Sequence, residues 1–245
     1  MTEEMQAAEK TSLPQRSESE IRAFLEERVR AVRETLQRES EPMYPAPRLI
    51  AVTKTVGSEM ILPLKELGVE EIAENRVQVL EEKLPAIGSA NFRIHLIGRL
   101  QRNKVKYIIK DVCMIHSADN MPLLQEIDRQ AQKNGLVMPV LVQVNIAGET
   151  QKGGVPPEEV LPLIREGAKL PGVKISGLMT MMPIDASEEE IIPMFREMRR
   201  MYEQLQSDAV QGTEIRELSM GMSRDYHLAA RCGATMVRVG SALFR

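Results

Sequence analysis

Tryptophan is absent from this sequence, and phenylalanine and tyrosine bring the aromatic share to just 3%. Packing therefore falls on Leu, Ile, Val and the 16 methionines. Two cysteines, Cys113 and Cys232, stand far apart in no paired spacing. That excludes a disulfide framework and points to a reducing compartment with two packing thiols. His95, His116 and His227 show no ligand spacing with one another or with the cysteines, so no metal is expected. Charge of one sign is not in excess: 32 Lys and Arg against 35 Asp and Glu give a net charge of -3. This balance argues against nucleic acid as the main partner. No stretch reaches the roughly 18 to 20 apolar residues of a membrane helix, since even 137–146 is interrupted by Pro139, Gln143 and Asn145. Residues 1–18 are polar, lack the apolar run of a secretory signal and read as a flexible tail, so the expected location is cytoplasmic.

What remains is an ordinary soluble composition, 43% hydrophobic and 27% charged, over 245 residues. That length suits one large α/β domain. Ser19 to Arg38 reads as an amphipathic helix, with Ile21, Phe24, Leu25, Val29, Val32 and Leu36 at helical spacing and Ser19 as its cap. From Arg48 onward, strand-like runs alternate with helical ones. The expected strands are Leu49 to Lys54, Glu71 to Asn75, Phe92 to Gly98, Val112 to Ser117, Val140 to Ile146, Val173 to Met179, Glu217 to Gly221 and Met236 to Gly240. The expected helices between them are Met60 to Leu67, Val77 to Leu84, Lys104 to Ile109, Pro122 to Lys133, Pro157 to Leu170, Glu188 to Gln206 and Tyr226 to Cys232. Eight βα units predict a single (β/α)8 TIM barrel over residues 19–245.

Barrels of this kind gather their functional groups at the carboxyl ends of the strands, with phosphate often beside strands seven and eight. Lys54 sits at the end of the first strand. The seventh exits through Ser219-Met220-Gly221-Met222-Ser223 and the eighth through Arg238-Val239-Gly240-Ser241. Glycines there permit close backbone approach, and Ser223 offers a hydroxyl beside backbone N–H groups that suit an anion. An amine able to form a Schiff base, facing a phosphate cradle, is the minimum equipment for holding pyridoxal 5'-phosphate. Asn75 ends the second strand, where it can orient the lysine or a ring hydroxyl. His95 reads as a packed strand residue rather than a proton carrier, Ser117 and Asn145 as polar lining, and Met179, Met181 and Met182 as core or rim. Arg99, Arg102, Lys104 and Lys106 read as a solvated basic face, with no interleaved aromatics for base stacking.

Together, Ala51-Val52-Thr53-Lys54-Thr55, Glu74-Asn75, His95-Leu96-Ile97-Gly98-Arg99-Leu100-Gln101 with Asn103-Lys104, Leu218 to Ser223 with Asp225, and Met236 to Gly240 resemble the pyridoxal phosphate homeostasis proteins, the YggS and PROSC-like group. The resemblance implies a barrel of the alanine racemase N-terminal type (the type III fold of pyridoxal phosphate proteins). It also implies the cofactor on Lys54, its phosphate around Ser219, Met220, Ser223, Gly240 and Ser241, and Arg238 facing the pyridine nitrogen. A permanent cation there leaves the ring a weak electron sink. Gly57, Arg76 and His227 depart from the commonest family pattern, all at the rim.

The expected function is intracellular pyridoxal phosphate homeostasis by reversible holding, with no catalytic residues assigned and apo-enzymes as implied recipients. The alternatives are a pyridoxal phosphate-dependent amino-acid racemase, with Tyr226 or His95 as a second base, and a Schiff-base aldolase. The sequence ends at Arg245 soon after strand eight; with no second domain expected, a holding protein and a monomer are favoured.

Overall fold

The computed structural model describes residues 17–88, 92–149 and 153–245. Of the expected tail, residues 1–16 lie outside the described residues. Eight parallel strands close in sequence order into one barrel: β1 (Arg48–Val52), β2 (Glu71–Glu74), β3 (Arg93–Leu96), β4 (Met114–Ala118), β5 (Met138–Val144), β6 (Val173–Thr180), β7 (Glu217–Met222) and β8 (Met236–Val239). β8 closes onto β1 with Ile50 opposite Arg238.

Alternation of side chains divides the core in two. Inside the barrel, Ile50, Val52, Ala73, Met114, Leu141, Met179 and Met236 form a compact apolar cluster. Outside, residues such as Ile72, Leu96, Val142, Leu218, Met220 and Val237 pack beneath the helices. Those helices are α1 (Glu18–Glu39), α2 (Ser58–Ile61), α3 (Pro63–Glu66), α4 (Val77–Ile87), α5 (Val105–Ile108), α6 (Met121–Lys133), α7 (Pro157–Gly167), α8 (Glu188–Asp208), α9 (Tyr226–Arg231) and α10 (Ser241–Phe244).

The first helix is capped by Ser17, not Ser19. Ser17 Oγ accepts the Glu20 N–H while the Glu20 carboxylate accepts the Ser17 N–H, a reciprocal capping box. Its Leu25, Val29, Val32 and Leu36 are buried, each contributing about 1.5–3 kcal/mol relative to exposure. Pro63 has no N–H to continue the preceding turn, so the expected Met60 to Leu67 helix is two short pieces, α2 and α3. The α10 turn was not expected; it follows directly from Gly240, where a strand had been extended.

At the amino-terminal mouth, Arg48 ties the barrel seam. Its Nε donates to Glu71 Oε2 at 3.1 Å and its Nη2 to Glu217 Oε1 at 2.9 Å, and Arg93 Nε approaches Glu71 Oε1 at 3.4 Å. Burial pushes the Glu71 carboxyl up, but hydrogen bonding to His95 and the Arg48 charge outweigh it, lowering its pKa from 4.5 to about 2. A carboxyl depressed on folding stabilises above its unfolded value and loses that contribution as pH falls toward 2, on the order of 3 kcal/mol in full. Glu71→Gln is expected to cost about 1–3 kcal/mol at neutral pH and to flatten the acid limb of the stability curve between about 4.5 and 2. Urea unfolding at a series of pH values measures both.

Candidate functional site

A cleft of about 690 Å³ opens at the carboxyl-terminal mouth of the barrel. That is within the usual range for small-molecule sites. Lys54, Asn75, Ser223, Arg238, Gly240 and Ser241 all line it. Six residues expected from six separate positions in the sequence are thus brought to one cavity.

Lys54 lies two residues beyond β1, and the backbone that presents it is clamped. The Thr53 N–H donates to Ala73 O at 3.0 Å, the Thr53 hydroxyl to Glu74 Oε1 at 2.7 Å, and Lys83 Nζ donates to both Thr53 O and Glu74 Oε1 at 2.7 Å. Glu74 is fully buried, and its Oε2 has no hydrogen-bond partner among the described residues. A buried carboxylate is tolerated when a cation meets it, and Lys83 of α4 supplies that cation. Glu74 and Lys83 carried no functional reading in the sequence. Glu74, the second acid of a four-residue strand, was the signal that a cation must pack against it.

Asn75 is held by close backbone packing from β3's exit. A methyl group added at Gly98 would lie 2.0 Å from the Asn75 carbonyl oxygen, so only glycine fits. The Gly98 carbonyl is fixed in turn by the Ser117 hydroxyl at 2.7 Å. Ser117 therefore supports the wall instead of lining the cleft, and Asn145 is turned to the Glu149 backbone at 2.9 Å.

The exits of β7 and β8 are stitched together by Ser223, whose Oγ accepts the Gly240 N–H at 3.0 Å and the Ala242 N–H at 3.3 Å. Gly221, at φ +89°, packs against α9; a side chain there would come within 2.5 Å of Ala229 Cβ. The Asp225 carboxylate accepts the Met222 N–H at 2.5 Å, and burial pushes its pKa up. Ser219 and Met220 do not line the cleft. Met220 points outward into the helix layer, whereas Ser219 points into the barrel one level below the mouth, and Met222 reaches the cleft.

Arg238 forms the floor and is 2% exposed. Its Nη1 donates to Ser219 Oγ and its Nη2 to Thr180 O, each at 2.6 Å. Burial lowers its pKa to about 10, against the pull of Asp225, so it remains a cation at neutral pH. His95 is fully buried, as a packed strand residue should be, but it has a partner the sequence did not reveal, His116 at 2.9 Å. Met181 and Met182 line the rim and Met179 the core. The basic residues Arg99, Arg102 and Lys104, with Arg76, border a separate groove of about 910 Å³ that shares Asn75 with the cleft.

A closed βα barrel carrying a lysine, a buried arginine and an amide-lined pocket at its carboxyl-terminal mouth defines a class. Residues 26–245 match the family model for the alanine racemase N-terminal domain. The chain is 42% identical over 197 residues to the pyridoxal phosphate homeostasis protein of Aquifex aeolicus, covering 80% of this chain and 86% of that protein. Among solved structures it is similar to PipY of Synechococcus elongatus PCC7942, at 31% identity and a TM-score of 0.81, covering 90% of this chain and all of that one. PipY has also been solved with pyridoxal phosphate bound. Alanine racemase of Clostridium difficile shares the fold, at 20% identity and a TM-score of 0.71. The chain belongs to the pyridoxal phosphate homeostasis protein family, within the larger group built on the alanine racemase N-terminal domain. Among the described residues, no helix is long and apolar enough to cross a membrane.

Proposed function

We propose that this protein binds pyridoxal 5'-phosphate reversibly, as a Schiff base on Lys54, and buffers the supply of the cofactor in the cytoplasm without robust turnover. One observation carries the reading: a single cleft unites an accessible lysine amine, the Ser223 hydroxyl with the Gly240 amide that donates to it, and a buried arginine. The amides of Gly240 and Ala242 already share one oxygen, Ser223 Oγ, and a phosphate oxygen presents the same acceptor. The donor set therefore fits the group. When bound, the cofactor supplies an aldehyde for the amine and a pyridine ring that withdraws electrons. Lys54 would hold the aldehyde, Ser223, Gly240 and Ser241 the phosphate with the Met222 segment, and Asn75 the ring edge. Arg238, a cation fixed on two sides, would face the ring nitrogen and disfavour its protonation.

Holding without turnover is supported by where the two candidate second bases lie. Racemisation needs proton carriers on both faces of the substrate. Of the two candidate second bases, His95 is buried below the floor and Tyr226 is not part of the lining. The same reading takes the protein as a monomer, one barrel domain from residue 19 onward, that yields cofactor to apo-enzymes.

The test is direct. Loaded protein is reduced with borohydride and mapped; the label is expected on the Lys54 peptide, and a label on another lysine overturns the assignment. Incubation with single-enantiomer amino acids is expected to give no interconversion; steady racemisation lost in Lys54→Ala would establish an enzyme instead. Ser223→Ala is expected to weaken retention by about 1.5–3 kcal/mol, roughly ten- to a hundredfold in Kd. Equilibrium dialysis measures it.

A further inference from the structure

A file of polar groups crosses the barrel interior beneath the cleft. It begins where Arg238 Nη1 donates to Ser219 Oγ at 2.6 Å. Ser219 Oγ lies 3.0 Å from His116 Nδ1, and His116 Nε2 lies 2.9 Å from His95 Nδ1. His95 Nε2 then faces Cys113 Sγ at 3.6 Å and Glu71 Oε1 at 3.7 Å. Both imidazoles are fully buried and meet edge to face at 88°. Glu71 is part of the ion cluster with Arg48, Arg93 and Glu217, so the file joins the two mouths of the barrel.

A guanidinium can only donate, and that sets the direction. Ser219 Oγ accepts from Arg238, which leaves its hydroxyl hydrogen for His116 Nδ1. His116 then carries its proton on Nε2 and donates to His95 Nδ1. His95 carries its own on Nε2, facing Glu71 and Cys113. With these tautomers, assigned by hydrogen-bond accounting, every polar atom of the file is satisfied.

One added proton on His95 reverses the order. His95 Nδ1 becomes a donor, His116 shifts its proton to Nδ1, and Ser219 Oγ receives two donors at once. The surroundings place that proton at His95. Burial opposes charge there, but Cys113 and Glu71 outweigh it and raise the pKa. Burial and the charges of His95, Arg238 and Arg48 hold His116 well below the usual value.

We propose that His95 and His116 are positioning residues for the bound ring: they set whether Ser219 Oγ takes one donor or two, and through it how Arg238 is held, coupling the cation at the ring to the ion cluster at the opposite mouth. The inference rests on the reading that the Lys54 cleft holds pyridoxal phosphate. A second donor at Ser219 takes the other lone pair of Oγ and leaves the hydroxyl hydrogen without its acceptor, which reorients the hydroxyl beneath Arg238, so the proton count of the histidine pair reaches the ring.

Full-length protein loaded with pyridoxal phosphate is titrated by absorbance across neutral pH. His116→Gln and Ser219→Ala are each expected to move the midpoint of the chromophore's titration by about one pH unit or more, a tenfold change in proton affinity. Ser219→Thr, which keeps a hydroxyl, is expected to restore it. A merely structural role would lower Tm and leave the midpoint unmoved. Nitrogen-15 NMR of the cofactor-free protein gives a second reading, with neutral His116 expected to carry its proton on Nε2. A coloured Ser219→Ala protein with the wild-type midpoint, or a neutral His116 protonated on Nδ1, overturns the proposal. If His116→Gln does not fold, the Ser219 pair decides. A wild-type protein that stays colourless fails the reading of the cleft itself and takes this inference with it.

Discussion

Lys54→Ala is expected to abolish borohydride-stable attachment of pyridoxal phosphate and the absorbance of the bound aldehyde, while leaving the barrel folded. The side chain is exposed in the cleft and makes no hydrogen bond among the described residues, so its removal costs the fold little. The clamp on its backbone survives, because Thr53, Glu74 and Lys83 hold one another without it. What is lost is the covalent share of binding. On the proposed function, the Gly240 amide, the Ser223 hydroxyl and the Arg238 cation still offer a phosphate and a ring their places. Residual affinity weaker by about a hundredfold, ~2.7 kcal/mol, is therefore expected in place of none. Calorimetric titration with pyridoxal phosphate and with pyridoxine phosphate, which has no aldehyde, separates the two shares. The two ligands should bind alike to Lys54→Ala and differently to the wild type. A variant that stays as tight for the aldehyde as the wild type places the amine elsewhere.

Gly98→Ala is expected to do the reverse, damaging the fold and the site together. The added methyl would stand 2.0 Å from Asn75 O and 2.7 Å from its carbonyl carbon, distances no side chain can relieve because the obstacle is backbone. The β3 exit is pinned by Ile97 N donating to Glu74 O at 2.9 Å and by Ser117 on the Gly98 carbonyl, so neither side yields cheaply. Overpacking of this kind costs about 3 kcal/mol or more. Whatever relaxation occurs must carry Asn75 away from the cleft. Thermal unfolding and cofactor titration should therefore worsen in the same variant. A Gly98→Ala protein with unchanged Tm would show that this crossing of the two exits is looser than the structure has it.

Much of this architecture was legible before the structure. Eight apolar runs with intervening helical periods gave the barrel, since parallel strands buried on both faces need no further signal. Errors fell at both ends of strands: Lys54, Asn75 and Gly240 lie past the last strand residue and face the cleft, while β4 starts two residues after the expected Val112 and β5 two before the expected Val140. The helix cap was readable and misplaced: Ser17 and Glu20 stand at the three-residue spacing of a capping box, which Ser19 lacks. Six cleft residues were found because strand exits in a barrel converge. The family resemblance implied Ser219 and Met220 beside the phosphate, yet neither lines the cleft, because adjacent residues on a strand face opposite sides and depth along the barrel depends on strand tilt. The polar file was out of reach for a related reason. His95 and His116 are 21 residues apart, and Ser219 is 103 further on, so nothing local pairs them.

The parallel seam between β1 and β8 has a bearing on synthesis. Lys54 emerges from a ribosome early, but the strand bearing Arg238 and Gly240 is among the last to appear, and Arg48 meets Glu217 across 169 positions. Until that late strand is threaded beside the first, the nascent polypeptide has a lysine with no pocket around it. On the proposed function, capture of a reactive aldehyde is deferred to the finished molecule, and fragments lacking the last strand should expose the amine without retaining the vitamin.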